Sequence, residues 1–193
     1  MIVLCDTSSI LMLLRIAPQM FDDERFGCVT IKEVHKEITR TAKFKSKYPW
    51  TGALRAKIKP LPASKTNTSD IKLYHDTIST LNVDGVVDEK TERLFNLSRE
   101  DMRIMACALG LGYFISSGDG GIIRFLSQQF PDDFKGNISP LGLINRWLEG
   151  KLITWDEEKQ MQLAEWNENE EHAQPKDEIT RFKRLTRRQY PGS

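Results

Sequence analysis

Cysteine is scarce in this chain of 193 residues: Cys5, Cys28 and Cys107 are odd in number and far apart. No two have the Cys-x-x-Cys spacing of a zinc or redox site. Each sits in an apolar context, so they read as reduced core residues and exclude a disulfide framework. Long hydrophobic runs are absent too. None approaches the roughly 18 residues of a membrane span, and the first residues lack the basic segment and cleavage site of a secretory leader. The expected compartment is a reducing cytoplasm, with no membrane partner. Histidine is rare: His35, His75 and His172 are scattered and form no ligand or base set. Ser8 and Ser9 have no partnered base, which leaves nucleophilic serine catalysis unsupported. The "SGDGG" stretch has the wrong context for a Walker-type phosphate loop.

What is present is an ordinary globular composition, 39% hydrophobic and 28% charged, with a net charge of +1. That suffices for one domain with an appendage. Residues 2–5, "IVLC", form a short apolar run bounded by a turn, which predicts a buried strand. A helix follows over 8–16. "FGCVT" predicts a second strand, and "TIKE" a helix to about residue 41, with Thr30 as N-cap and Glu33 completing a capping box. Helices are expected over 69–81 and 86–94. "LSREDMRIMACALGLG" gives the clearest helix: Ser98 caps it, Ile104, Cys107, Ala108 and Leu111 share a face, and Gly110 and Gly112 mark its end. "YFISS" predicts a strand, 121–129 a helix, "GNISP" a last strand and 141–148 a final core helix. Short apolar strands alternating with helices predict a parallel α/β sheet, whose ligands sit beyond the carboxyl ends of the strands.

Two of these strands end in the same chemistry. "IVLC" runs into Asp6 and Thr7, and "YFISS" brings Ser117 just before Asp119. Asp101 lies in the first turn of the helix before the second of these strands, and Glu37 on the helix after "CVT". Four carboxylates from four elements can therefore meet at one end of the sheet. Such a cluster repels itself unless a cation neutralises it. All-oxygen donors select a hard ion, Mg²⁺ or Mn²⁺. Each acid also has a plainer explanation. Asp6 can cap a helix, Asp101 is the N3 residue of a capping box, Glu37 can be a solvated helix-face acid, and Asp119 can belong to a Gly-Asp-Gly-Gly turn.

These segments resemble the PIN-domain ribonucleases, a family that includes the toxin nucleases of bacterial toxin–antitoxin pairs. "IVLCDTSSIL" is similar to the family's opening strand with its Asp-Thr/Ser motif. "VTIKEVHKEI" resembles the second motif, "SREDMRIMACALGLG" the third, and "YFISSGDGGIIRF" the fourth. The likeness covers residues 1–40 and 97–148. It implies a PIN-like three-layer α/β/α sandwich with a central parallel sheet. Asp6, Glu37, Asp101 and Asp119 would hold one or two Mg²⁺ or Mn²⁺ ions, with Thr7 and Ser117 positioning ligands or water through their hydroxyls. The implied activity is metal-dependent endonucleolytic hydrolysis of RNA. The implied partners are RNA and an antitoxin-like protein inhibitor, and a homodimer is left open. Gly121 stands where many members carry a further acid.

Two rival classes fit some of the same residues. A non-catalytic module of the same fold would bind RNA or a protein. An aspartate-nucleophile phosphotransferase commonly has a second Asp two residues after the first, where Ser8 stands here.

Residues 1–150 thus read as the nuclease-like domain, with an inserted region over 40–96. Its first part, "RTAKFKSKYPWTGALRAKIKPLPASK", holds no acid. Arg40, Lys43, Lys45, Lys47, Arg55 and Lys57 are its candidates for neutralising RNA phosphates, and Phe44, Tyr48 and Trp50 for stacking on unpaired bases. Residues 151–193 change character. Nine acids fall between 156 and 178, followed by the basic "RFKRLTRR". This segment reads as a mobile charged tail or an interaction arm.

Overall fold

A computed structural model describes residues 1–23, 27–170 and 174–192, with the side chain of Lys43 outside that description. Phe26 of the expected second strand, and Glu171 and His172 of the acidic segment, lie outside the described residues.

The first strand, β1 (Ile2–Cys5), occupies the centre of a three-stranded parallel sheet, between β2 (Gly27–Val29) and β5 (Phe114–Ser116). Its register sets Val3 opposite Cys28 on one side and opposite Phe114 on the other. Val3, Leu4 and Cys5 are buried, as a strand with neighbours on both edges requires. Beyond β5, "GNISP" makes only an isolated parallel bridge between Ile115 and Asn137. The expected last strand is therefore a single pairing. Thr30 and Pro60 bridge in the same way beyond β2.

Helix α1 (Thr7–Ile16) leaves β1 through Asp6 and buries nearly its whole circumference, Ser9 to Leu14 and Ile16, so it is a central core helix. Helix α2 (Lys32–Arg40) starts later than expected. Its N-cap is Ile31, without a side-chain bond, and the Thr30 hydroxyl instead donates to the Cys5 carbonyl at 2.8 Å. Thr30 ties the end of β2 to the end of β1, so the capping box does not form. The inserted region folds as α3 (Ala42–Lys47), α4 (Thr51–Leu54), α5 (Ala63–Thr66) and the long α6 (Ser69–Asp84).

Residues 86–94 are not helical. They form a hairpin of β3 (Val87–Asp88) and β4 (Arg93–Leu94). Buried Asp88 accepts from the Lys90 amide and from Arg124 Nε, which pins the turn.

Helix α7 (Arg99–Leu111) carries the capping box that its sequence announces, and it ends at Gly112 with φ 60°. Gly110 allows α7 to lie directly on α6: a Cβ there would meet Ile71 Cγ1 at 2.6 Å and its backbone at 3.2 Å. Gly110→Ala is therefore expected to destabilise the protein by about 1–3 kcal/mol through overpacking, although alanine is the better helix former. A thermal melt checks the sign.

Helices α8 (Gly120–Gln129) and α9 (Pro140–Glu149) complete the first 150 residues. The C-terminal segment then forms α10 (Glu157–Asn169) and α11 (Lys176–Thr186). Helix α10 packs on α1, and α11 on α9. Leu163, Trp166, Phe182 and Tyr190 are buried there. The dense charges that suggested a mobile tail lie on the outer faces of docked helices, for example in the Arg181–Glu149 and Arg15–Glu165 pairs. The three cysteines are free and buried. Among the described residues, no helix is long and apolar enough to cross a membrane.

Candidate active site

At the carboxyl ends of β1 and β5 lies a cleft of about 350 Å³. Asp6, Glu37, Asp101 and Asp119 all line it, together with Glu100 and Glu170. The four sequence-predicted acids thus face one space from four different elements.

The Asp6 carboxylate serves two ends. Its Oδ1 accepts from the Ser9 amide at 2.7 Å and from the Ser8 hydroxyl at 3.0 Å, which caps α1. Its Oδ2 accepts from Ser117 Oγ at 2.5 Å. Ser117 Oγ in turn accepts from the Asp119 amide at 2.9 Å. One buried hydroxyl therefore links the acids at the ends of two neighbouring strands. The Asp6 amide donates to the Ser116 carbonyl, extending the β1–β5 pairing to the aspartate itself. Asp119 caps α8 through Oδ1, which accepts from the Gly121 amide at 2.6 Å. Asp101 Oδ2 accepts from the Ser98 amide at 3.0 Å. Glu37 is held by the Thr7 hydroxyl, which donates to Oε2 at 2.5 Å. Three of the four acids stand at helix N-termini, where the helix dipole favours negative charge. This offsets part of their mutual repulsion.

Burial, and to a lesser degree the remaining repulsion, shows at Asp101. Burial raises its carboxyl above the ordinary aspartate value, the Ser98 hydrogen bonds pull it back, and the charges of Asp119 and Asp6 push it up further. A raised folded-state value means that the native protein holds the proton more tightly than the unfolded chain. The resulting stabilisation is complete at pH below the ordinary aspartate value and is lost as pH rises through the raised one. At neutral pH Asp101 is a net strain. Asp101→Asn removes the charge and keeps an oxygen for the Ser98 amide. The variant is expected to melt about 2 °C higher than the parent at pH 7, with the gap closing under acid conditions.

The donor chemistry suits a hard divalent cation: four carboxylates, and a single lysine among the lining residues. That lysine, Lys47, is already engaged with Glu170 and donates to the Asn169 carbonyl at 3.1 Å. Among the described residues, no three acidic, imidazole or thiol groups are drawn together into a metal-holding arrangement. Asp101 and Asp119 are instead tied to their own helix starts, while Asp6 and Glu37 are also held across elements by Ser117 and Thr7.

Of the six basic candidates, Lys47 alone lines the cleft. Lys57 pairs with Asp22. Arg40, Lys45 and Arg55 are exposed and lie outside the cleft lining, and the Lys43 side chain is outside the described residues. The aromatic candidates cluster: Tyr48 stacks with Phe44 and Trp166 and meets Trp50 edge-on. Trp166 and Glu170, from the end of α10, were not anticipated as cleft residues, yet they form its outer wall with Phe44 and Tyr48. The only sequence signal for them was the three-residue spacing of Leu163 and Trp166 within a charged segment. Glu100 was missed because it stands next to the capping aspartate.

No family model matches the chain, and neither does any curated protein or solved structure.

Proposed function

We propose that this chain is a metal-dependent endoribonuclease, built as a PIN-like three-layer α/β/α sandwich around its small parallel sheet. The observation that carries the reading is the meeting of Asp6, Glu37, Asp101 and Asp119 in one cleft at the carboxyl ends of the strands. Chance capping explains Asp6, Asp101 and Asp119 one by one, and a helix-face position explains Glu37, but neither explains why all four line one cleft. In this reading the four carboxylates hold Mg²⁺ or Mn²⁺. A bound ion of this kind supplies hydroxide from water near neutral pH and neutralises charge on a phosphodiester oxygen.

The protein's own part is positioning. Ser117 fixes Asp6 relative to Asp119, and Thr7 holds the Glu37 carboxylate toward the cleft. Asp6 Oδ1 is filled by its two capping bonds, but Asp6 Oδ2 and the Asp119 oxygens each keep a lone pair for a further partner. Phe44, Tyr48 and Trp166 offer flat apolar faces beside the acids, suited to unpaired bases. If the chain is a toxin, its inhibitor would occupy this cleft and present a cation to the carboxylates.

A second reading is a non-catalytic module of the same fold that binds RNA or a protein. It is favoured by the lack of a gathered ligand group among the described residues. A titration of Mg²⁺ and Mn²⁺ against structured and unstructured RNAs, with Asp119→Asn as the paired control, separates the two.

A further inference from the structure

An RNA strand entering a cleft lined by six acids needs cations beside it. The basic stretch provides few, since Lys47 is tied to Glu170 and Lys57 to Asp22. A different cationic cavity lies next door. It measures about 430 Å³ between the β3–β4 hairpin and α8, and Arg93, Arg124, Thr91 and Asn96 line it. Its single lining carboxylate, Asp88, is 4% exposed and accepts from Arg124 Nε at 2.7 Å. That bond fixes the guanidinium plane and leaves the two terminal nitrogens of Arg124 as donors. Arg93 is exposed and has no ion-pair partner among the described residues.

This cavity and the carboxylate cleft share their dividing walls. Asn96 lines the cavity and Ser98 the cleft; Gly121 lines the cavity and Asp119 the cleft. Two residues of chain span at most about 7 Å. Two strips of backbone, one before α7 and one opening α8, therefore carry lining residues of both sites within that short distance. One strand can therefore reach from the carboxylates to the guanidiniums.

We propose that the Arg93–Arg124 cavity is an anion subsite that holds a backbone phosphate of the RNA strand lying in the cleft. The proposal rests on the ribonuclease reading for its source of phosphate, whereas the anion chemistry stands on the cavity alone. Two guanidiniums lining one cavity, one of them fixed by Asp88, suit a phosphate, whose oxygens accept bidentate hydrogen bonds from arginine. A subsite here would fix which phosphodiester falls among the carboxylates.

The test uses the full chain, without divalent ions so that RNA is not cut. Binding of a short fluorescein-labelled single-stranded RNA is measured across a salt series. Arg93→Gln is expected to weaken binding about tenfold, the worth of a hydrogen bond to a charged group. It should also lower the log–log salt slope by about 0.7, the value for one phosphate contact on a single strand. Lys72→Gln, an exposed change on α6, should alter neither. In parallel, inorganic phosphate is titrated while amide NMR shifts are followed. Movement of the Arg93 and Asn96 amides, lost in Arg93→Gln, supports the subsite. RNA bound by Arg93→Gln with unchanged affinity and slope overturns it and leaves the ribonuclease reading standing. Phosphate shifts without any RNA binding uphold the anion site and sink the RNA reading. Phosphate that moves neither amide overturns the subsite outright.

Discussion

Asp119→Asn is expected to lower cleavage of single-stranded RNA in Mn²⁺ by about a thousandfold, or ~4 kcal/mol of transition-state stabilisation at 1.36 kcal/mol per decade. The change is small sterically and spares the fold. Asparagine is as good an N-cap as aspartate, and its side-chain oxygen can still accept from the Gly121 amide that Asp119 Oδ1 now holds. Ser117 is untouched, since it binds the backbone amide of residue 119. What is lost is one full negative charge on the cleft wall. Because that charge adds to the burden on Asp101, the metal-free variant should be at least as stable as the parent. A loss of activity with no loss of melting temperature is thus the signature of a catalytic role. A second readout is independent of turnover. Mn²⁺ at a hundred times its dissociation constant should stabilise the parent by about 2.7 kcal/mol and the variant by much less. Equal cleavage by the two proteins, or the absence of any manganese-dependent stabilisation, would remove the hydrolytic reading and favour the binding module.

Three of the four candidate acids were legible because they stand at boundaries that the sequence marks strongly; Glu37, inside α2, was legible only through the resemblance. An apolar run of four residues stops at Asp6. A capping box announces Asp101, and a strand ends in Ser-Gly-Asp at Asp119. In each case local rules place the acid at the start of a helix that follows a turn, and parallel strands bring two of those starts side by side. The hairpin was illegible for the opposite reason. Its strands pair only two residues each, and the chain reverses with Glu92 at φ 55°, so no glycine or asparagine signals the turn. Its anchor, the pairing of Asp88 with Arg124, joins residues far apart in the chain. Thr30 misled through competition: its hydroxyl can serve a helix cap or a neighbouring strand, and the Cys5 carbonyl won. The basic stretch misled because charge alone does not tell which lysine finds an acid elsewhere. Lys57 found Asp22 and Lys47 found Glu170.

Phe182→Ala is expected to cost roughly 3–5 kcal/mol, the range for a fully buried phenylalanine, and to lower the melting temperature by about 10 °C. Composition alone forecasts no effect, because Phe182 sits in "RFKRLTRR", a run that reads as a solvated basic arm. The structure places its ring at 0% exposure. Trp155 meets it edge-on with ring centroids 4.8 Å apart, and Tyr190 does so at 5.8 Å. Helix α11 is held to α9 at the same place by Asn145, whose Nδ2 donates to the Glu178 carbonyl at 2.9 Å. Removing the ring leaves a cavity that these neighbours cannot close without breaking that seam. The consequence reaches the cleft. Tyr190 donates to Asn167 Oδ1 at 2.9 Å, and Asn167 lies on α10 beside Trp166, which lines the carboxylate cleft. Loosening α11 therefore loosens the outer wall of the site. Denaturation of the variant should show the full loss in one transition shared with the rest of the chain. A variant that melts with its parent would mean that residues 151–193 are an undocked arm, and that Trp166 and Glu170 do not belong to the site at all.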